Sequence, residues 1–125
     1  MGIVSGILCL ICFCLLAAKA VTARLHLKRA DRAFMKLHKP VSALLFVLCF
    51  LHILFVFSVL KSRSMLVVVS GAVGVLLMFL LICLCHLIKD RKKKMWWHRA
   101  LTILMAVCLM GHVAAYIAEI TSYPI

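Results

Sequence analysis

Four of the six histidines stand in two matched pairs. His38 and His52 are 14 residues apart, and so are His98 and His112. On an α-helix, 14 residues at about 3.6 per turn bring a side chain back to within roughly 40° of the same face, about 21 Å further along the axis. Two helices running the same way with this spacing can offer two facing pairs of imidazoles, His38 with His98 and His52 with His112. Each pair can clamp a planar macrocycle between its members. Heme iron accepts axial imidazoles on opposite faces, and its hydrophobic plate suits an apolar core. Two bis-histidine sites leave no axial position open, which favours electron transfer over oxygen binding or small-molecule catalysis. The plainer role for one membrane histidine is an interhelical hydrogen bond. Four of them at matched spacing on matched helices are harder to explain by packing, because polar groups at that depth are costly and functional by default.

The remaining histidines, His26 and His86, extend the pattern. His26 and His86, His38 and His98, and His52 and His112 are all separated by 60 residues. Met35 and Met95, Lys39 and Arg99, Ser42 and Thr102, Leu44 and Leu104, and Val47 and Val107 share that offset. The chain therefore reads as a tandem repeat of a two-helix hairpin, a parallel repeat about an axis along the membrane normal. His26 and His86 fall near helix ends. Contact with lipid headgroups is the plainer reading for them, and hydrogen bonding to heme propionates or alternative ligation the functional one. Lys39 and Arg99 directly follow the first histidine of each pair and can pair with propionates, or serve only as topology charges. Ser42 and Thr102 lie one turn further on, as packing residues or along the macrocycle edge. Gly71 and Gly74, in Ser70-Gly71-Ala72-Val73-Gly74, permit close approach of a helix or a flat ligand at the depth of His52 and His112. Gly6, Ala17, Ala18 and Ala20 offer similar room on the first helix.

The elements that must position these side chains are membrane helices. Of 125 residues, 67% are hydrophobic, and the mean hydropathy is +1.21. A soluble domain of that length cannot hide so much apolar surface. Four spans emerge, at about 3–23, 37–60, 65–88 and 97–120. Each is long enough to cross about 30 Å of hydrocarbon. The expectation is an all-α, single membrane domain over residues 1–125, a four-transmembrane-helix bundle of up-down-up-down topology. Pro40 is expected in the first turn of the second helix, where its missing N–H is harmless, and Pro124 simply follows the fourth. The seven cysteines all lie in apolar runs and read as small packing residues. The only CxxC, Cys9 to Cys12, sits inside a span. Met1-Gly2-Ile3-Val4-Ser5-Gly6 lacks a positive n-region, which argues against a cleaved signal peptide.

Charge sets the expected orientation. Net charge is +12, from 15 Lys and Arg against 3 acids. Nucleic acid is not the expected partner, because the cations cluster between spans as topology signals facing anionic lipid. The first connection carries Arg24, Lys28, Arg29, Arg32, Lys36 and Lys39. The third carries Lys89, Arg91, Lys92, Lys93, Lys94 and Arg99. The second, Lys61-Ser62-Arg63-Ser64, holds two cations, and the termini none. By the positive-inside rule the two rich loops are cytoplasmic and both termini lie outside. Trp96 and Trp97 fall at the cytoplasmic interface, and Tyr116 and Tyr123 toward the outer one.

The pattern His38-(13 residues)-His52 with His98-(13 residues)-His112 resembles the diheme cytochrome b group, and spans essentially the whole chain. In the four-helix core of respiratory cytochrome b, two parallel helices each supply two histidines at about this spacing. Ferric-reductase-type membrane domains are similar. The resemblance implies two b-type hemes and an electron-transfer role. The further quinol-site helices of respiratory cytochrome b, and the flavin and nicotinamide module of ferric reductases, have no counterpart here. Donor and acceptor are therefore expected to be a redox partner protein or a quinone, with docking on the basic loops. A homodimer or a larger complex is compatible with so small a bundle. A stand-alone bundle of this kind suggests a bacterial plasma membrane. Two other classes compete with the cytochrome. One is a membrane anchor or assembly subunit in which the hemes are structural. The other is a small four-helix transporter, for which Glu119 is the only acid near a span, and it lies at the end of one.

Overall fold

The computed structural model describes residues 1–122, so the expectations for Tyr123 and Pro124 lie outside the described residues. The described chain is all-α: α1 (Gly2–Arg24), α2 (Lys28–Phe57), a 3-10 turn (Leu60–Ser62), α3 (Met65–Leu87) and α4 (Arg91–Ser122). All four α-helices are long and apolar enough to cross a membrane, and the protein is a multi-pass membrane protein. Most large apolar side chains point outward, including Phe50, Leu54, Leu66, Ile103 and Met110. Lipid can bury such a surface; water cannot accommodate it.

Contacts divide the chain into two compact units, Met1–Val59 and the part from Leu60 onward. Each is an antiparallel helical hairpin. In the first, Gly2 meets Val56, Gly6 meets His52, and Cys9 meets Cys49. In the second, Ser64 meets Glu119, Ser70 meets His112, and Cys85 meets His98. Leu77, Leu81 and Leu101 form the buried centre of the second hairpin, flanked by Leu84, Met105 and Cys108.

Two helices begin earlier than hydropathy implies. The second was expected from 37 and starts at Lys28; the fourth was expected from 97 and starts at Arg91. Hydropathy marks the slab of hydrocarbon, whereas Lys, Arg and Ala are good helix formers that carry a helix past it. Most of the basic residues assigned to loops are therefore helical, and the connections shrink to three residues each. Asp90 starts α4 by accepting from the N–H groups of Lys92 at 2.8 Å and Lys93 at 3.3 Å. Pro40 accordingly lies well inside α2 rather than in its first turn. It leaves the Lys36 carbonyl without its helical donor, at an exposed stretch of the helix where water can solvate it.

The α1–α2 turn is a Schellman motif. The Leu27 N–H donates to the Thr22 carbonyl at 3.1 Å, and the His26 N–H to that of Ala23 at 3.4 Å. His26 occupies the left-handed position with φ 54°, where glycine is usual. His86 is different: it sits within α3, exposed, with Nδ1 2.9 Å from the Ile82 carbonyl. The two histidines thus share an offset but not a role. A side chain with Cβ costs about 1–2 kcal/mol in left-handed backbone. His26→Gly is therefore expected to raise the thermal unfolding midpoint in detergent, followed by circular dichroism. A lowered midpoint would mean that the exposed imidazole contributes more than the strain removes.

At the opposite end of the second hairpin, Ser64 caps α3 by accepting from Val67 N–H at 3.5 Å. Glu119 ties this turn to α4. It accepts from Arg63 Nη1 at 3.2 Å and from the Ser64 N–H at 3.1 Å, while Arg63 lies 5.3 Å from the centre of the Tyr116 ring. The acid nearest a span is thus engaged in holding a turn.

Candidate functional site

The four paired histidines are half-buried, whereas His26 and His86 are exposed. The 14-residue spacing does what helix geometry requires. Leu45, midway between His38 and His52, is buried on the same stripe of α2, and Leu101 and Met105 continue the stripe between His98 and His112.

His52 is held by α1. Its Nδ1 lies 2.9 Å from the Gly2 carbonyl oxygen and 3.1 Å from Ser5 Oγ. Ser5 Oγ in turn donates to the Gly2 carbonyl at 2.9 Å. A carbonyl oxygen can only accept, so Nδ1 must carry the proton. The lone pair of the neutral ring is then on Nε2. Ser5 is buried, and its hydroxyl hydrogen is directed to the backbone, which leaves an oxygen lone pair for the same Nδ1–H. Gly6 makes this approach possible. A Cβ there would stand 3.1 Å from the imidazole Cε1 and 3.4 Å from Nδ1.

The second hairpin builds the same shell from different residues. His112 Nδ1 lies 3.1 Å from the Val67 carbonyl and 3.1 Å from Ser70 Oγ. Ser70 Oγ donates to the carbonyls of Leu66 at 2.6 Å and Val67 at 3.1 Å. A Cβ on Gly71 would stand 3.1 Å from the His112 Cε1 and 3.4 Å from Nδ1. In both hairpins the accepting carbonyl is followed three residues later by serine and four residues later by glycine. That glycine is the residue whose N–H would bond the same carbonyl in the helix, so the missing Cβ opens the carbonyl's flank to the imidazole.

Gly71, expected to admit a helix or a flat ligand, admits the His112 ring. Gly74 has nothing within 4 Å of where its Cβ would be. Ser42 and Thr102 donate to the carbonyls of His38 at 2.6 Å and His98 at 2.7 Å. Each bonds back to a carbonyl one turn earlier in its own helix, the usual recourse of a hydroxyl within a helix. Lys39 and Arg99 are exposed on α2 and α4.

His38 and His98 have other surroundings. His38 lines an apolar crevice in the first hairpin with Leu15, Leu16, Lys19, Phe34 and Val41. His98 Nδ1 lies 3.6 Å from Cys85 Sγ.

The signal that sequence reasoning missed is the Ser-Gly dipeptide, Ser5-Gly6 and Ser70-Gly71. These are offset by 65 residues rather than the 60 of the histidines. Ser5 contacts a histidine 47 residues on, and Ser70 one 42 residues on. A search at a single offset aligns α2 with α4 and misaligns α1 with α3.

The shells around His52 and His112 fit an axial imidazole. Metal-binding histidines usually donate the second ring N–H to a carbonyl or carboxylate, which fixes the tautomer and orients the ring. Among the described residues no group of three or more His, Cys, Asp or Glu converges as a metal cluster. Each shell is built around one imidazole. Comparisons with protein-family models, with curated proteins and with solved structures each find no match for this chain.

Proposed function

We propose that the protein is a membrane electron carrier holding two b-type hemes, one ligated by His38 and His98 and the other by His52 and His112, as in the diheme cytochrome b group. The observation that carries this reading is the repeated shell in which a first-turn carbonyl, a serine and a glycine fix His52 and His112 as Nδ1–H tautomers. In this reading the bundle is a tandem hairpin repeat of up-down-up-down topology in a bacterial plasma membrane. Both termini lie outside, and the basic connections are cytoplasmic. Heme supplies one-electron redox chemistry. The chain's own residues orient the imidazoles, exclude water, and give the propionates cations in Lys39 and Arg99. Donor and acceptor are a redox partner protein or a quinone.

A membrane anchor is the second reading. It is favoured by the same bonds, since His52 and His112 already bridge the helices of their hairpins. A small proton-coupled transporter is disfavoured because Glu119 is engaged by Arg63 and the Ser64 N–H.

Proteoliposomes separate a conduit from an anchor. With ferricyanide trapped inside and dithionite added outside, vesicles holding the heme-loaded protein should lose ferricyanide at least tenfold faster than empty vesicles. Equal rates would contradict transmembrane electron transfer.

A further inference from the structure

In the first hairpin Cys49 of α2 donates its S–H to Cys9 Sγ of α1 across 3.7 Å. Cys9 is buried and Cys49 half-buried. The partner of Cys9 is therefore across the hairpin, not Cys12 of the CxxC spacing. The other hairpin is built differently: Cys108 donates to the Ser70 carbonyl at 3.2 Å, and Cys85 faces His98. Cys49 lies one helical turn from His52, on the same face of α2, and Cys9 one turn from Gly6 on α1.

We infer that Cys9 and Cys49 form a membrane-embedded redox site that closes reversibly into a disulfide. A disulfide bond is about 2.05 Å long, and the sulfurs are in van der Waals contact at 3.7 Å, so closure must bring them about 1.7 Å nearer. In closing, the two S–H bonds break and one Sγ–Sγ bond forms. Two protons leave to solvent. Two electrons leave one at a time to two one-electron acceptors. Resting on the proposed function, heme held by these histidines would supply such a one-electron acceptor, since His52 lies one turn from Cys49 on the same face of α2. Thiolates are costly in apolar surroundings, so buried thiols react poorly with soluble reagents. An acceptor bound at His52 would need no such encounter.

The test uses the full-length protein in detergent, reduced with a phosphine and freed of it. Aliquots are treated with ferricyanide or with copper phenanthroline, alkylated, digested and weighed. Ferricyanide is expected to yield a peptide joining Cys9 to Cys49, two hydrogens lighter, in the heme-loaded protein. The same peptide should form at least tenfold more slowly in heme-free protein and be missing in Cys49→Ser. Copper phenanthroline should yield it with or without heme. Failure of both oxidants to join the pair overturns the dithiol site. Equal ferricyanide rates with and without heme overturn its coupling to heme. Protein that takes up no heme at all defeats the proposed function and that coupling, while the copper phenanthroline arm still decides the pair.

Discussion

His52→Gly is expected to lower the heme content from two per chain to one, and millimolar imidazole in the buffer is expected to restore the second. The substitution removes the ring but leaves the cradle: the Gly2 carbonyl, Ser5 Oγ and the space beside Gly6. A free imidazole can enter that space, donate one N–H to the carbonyl and present its other nitrogen. The hydrogen bonds lost from the hairpin are worth about 0.6–1.7 kcal/mol, judging by interhelical bonds in membrane proteins, which is too little to unfold it. Far-ultraviolet circular dichroism should be unchanged while the reduced absorbance falls by about half, one site of two having lost a ligand. Imidazole that restores nothing to a folded variant would count against His52 as a ligand.

Gly71→Leu is expected to empty the same heme site from the other hairpin. A Cβ at Gly71 would lie 3.1 Å from His112 Cε1, closer than carbon atoms ordinarily approach, and the rest of a leucine must occupy the ring's own volume. The imidazole must swing away from the Val67 carbonyl and Ser70. Loss of such supporting contacts commonly costs about 10–100-fold in metal affinity, and displacing the ring itself should cost at least as much. Gly71→Ala adds only the Cβ. It is expected to keep both hemes, with a changed low-spin electron paramagnetic resonance signal from the tilted ring. Unchanged heme binding and an unchanged signal in Gly71→Leu would show that His112 does not hold iron.

Much of this architecture can be read from the residues. The four spans follow from apolar runs, and the stripe carrying His38, His52, His98 and His112 follows from a spacing of 14 on a helix. The helix starts cannot be read that way, because Lys28–Lys36 and Arg91–Lys94 are polar yet largely good helix formers, and so hydropathy puts Pro40 at an end it does not occupy. The shells depend on which residues of α1 and α3 oppose the histidines, and hairpin geometry decides that. Ser5 and Ser70 become legible only once the offset of 65 is allowed beside that of 60. The Cys9–Cys49 contact is likewise a property of the hairpin, since spacing along the chain relates Cys9 only to Cys12.

Whether His38, His52, His98 and His112 hold iron is decided by the visible spectrum of the purified protein, oxidised and then reduced with dithionite, with extracted heme counted per chain. Two low-spin b-type hemes per chain are expected. One should be lost on changing His38 or His98 to alanine, and the other on changing His52 or His112. A folded protein that stays colourless after incubation with heme would contradict iron binding, and would leave the histidines as bridges between the helices of a membrane anchor.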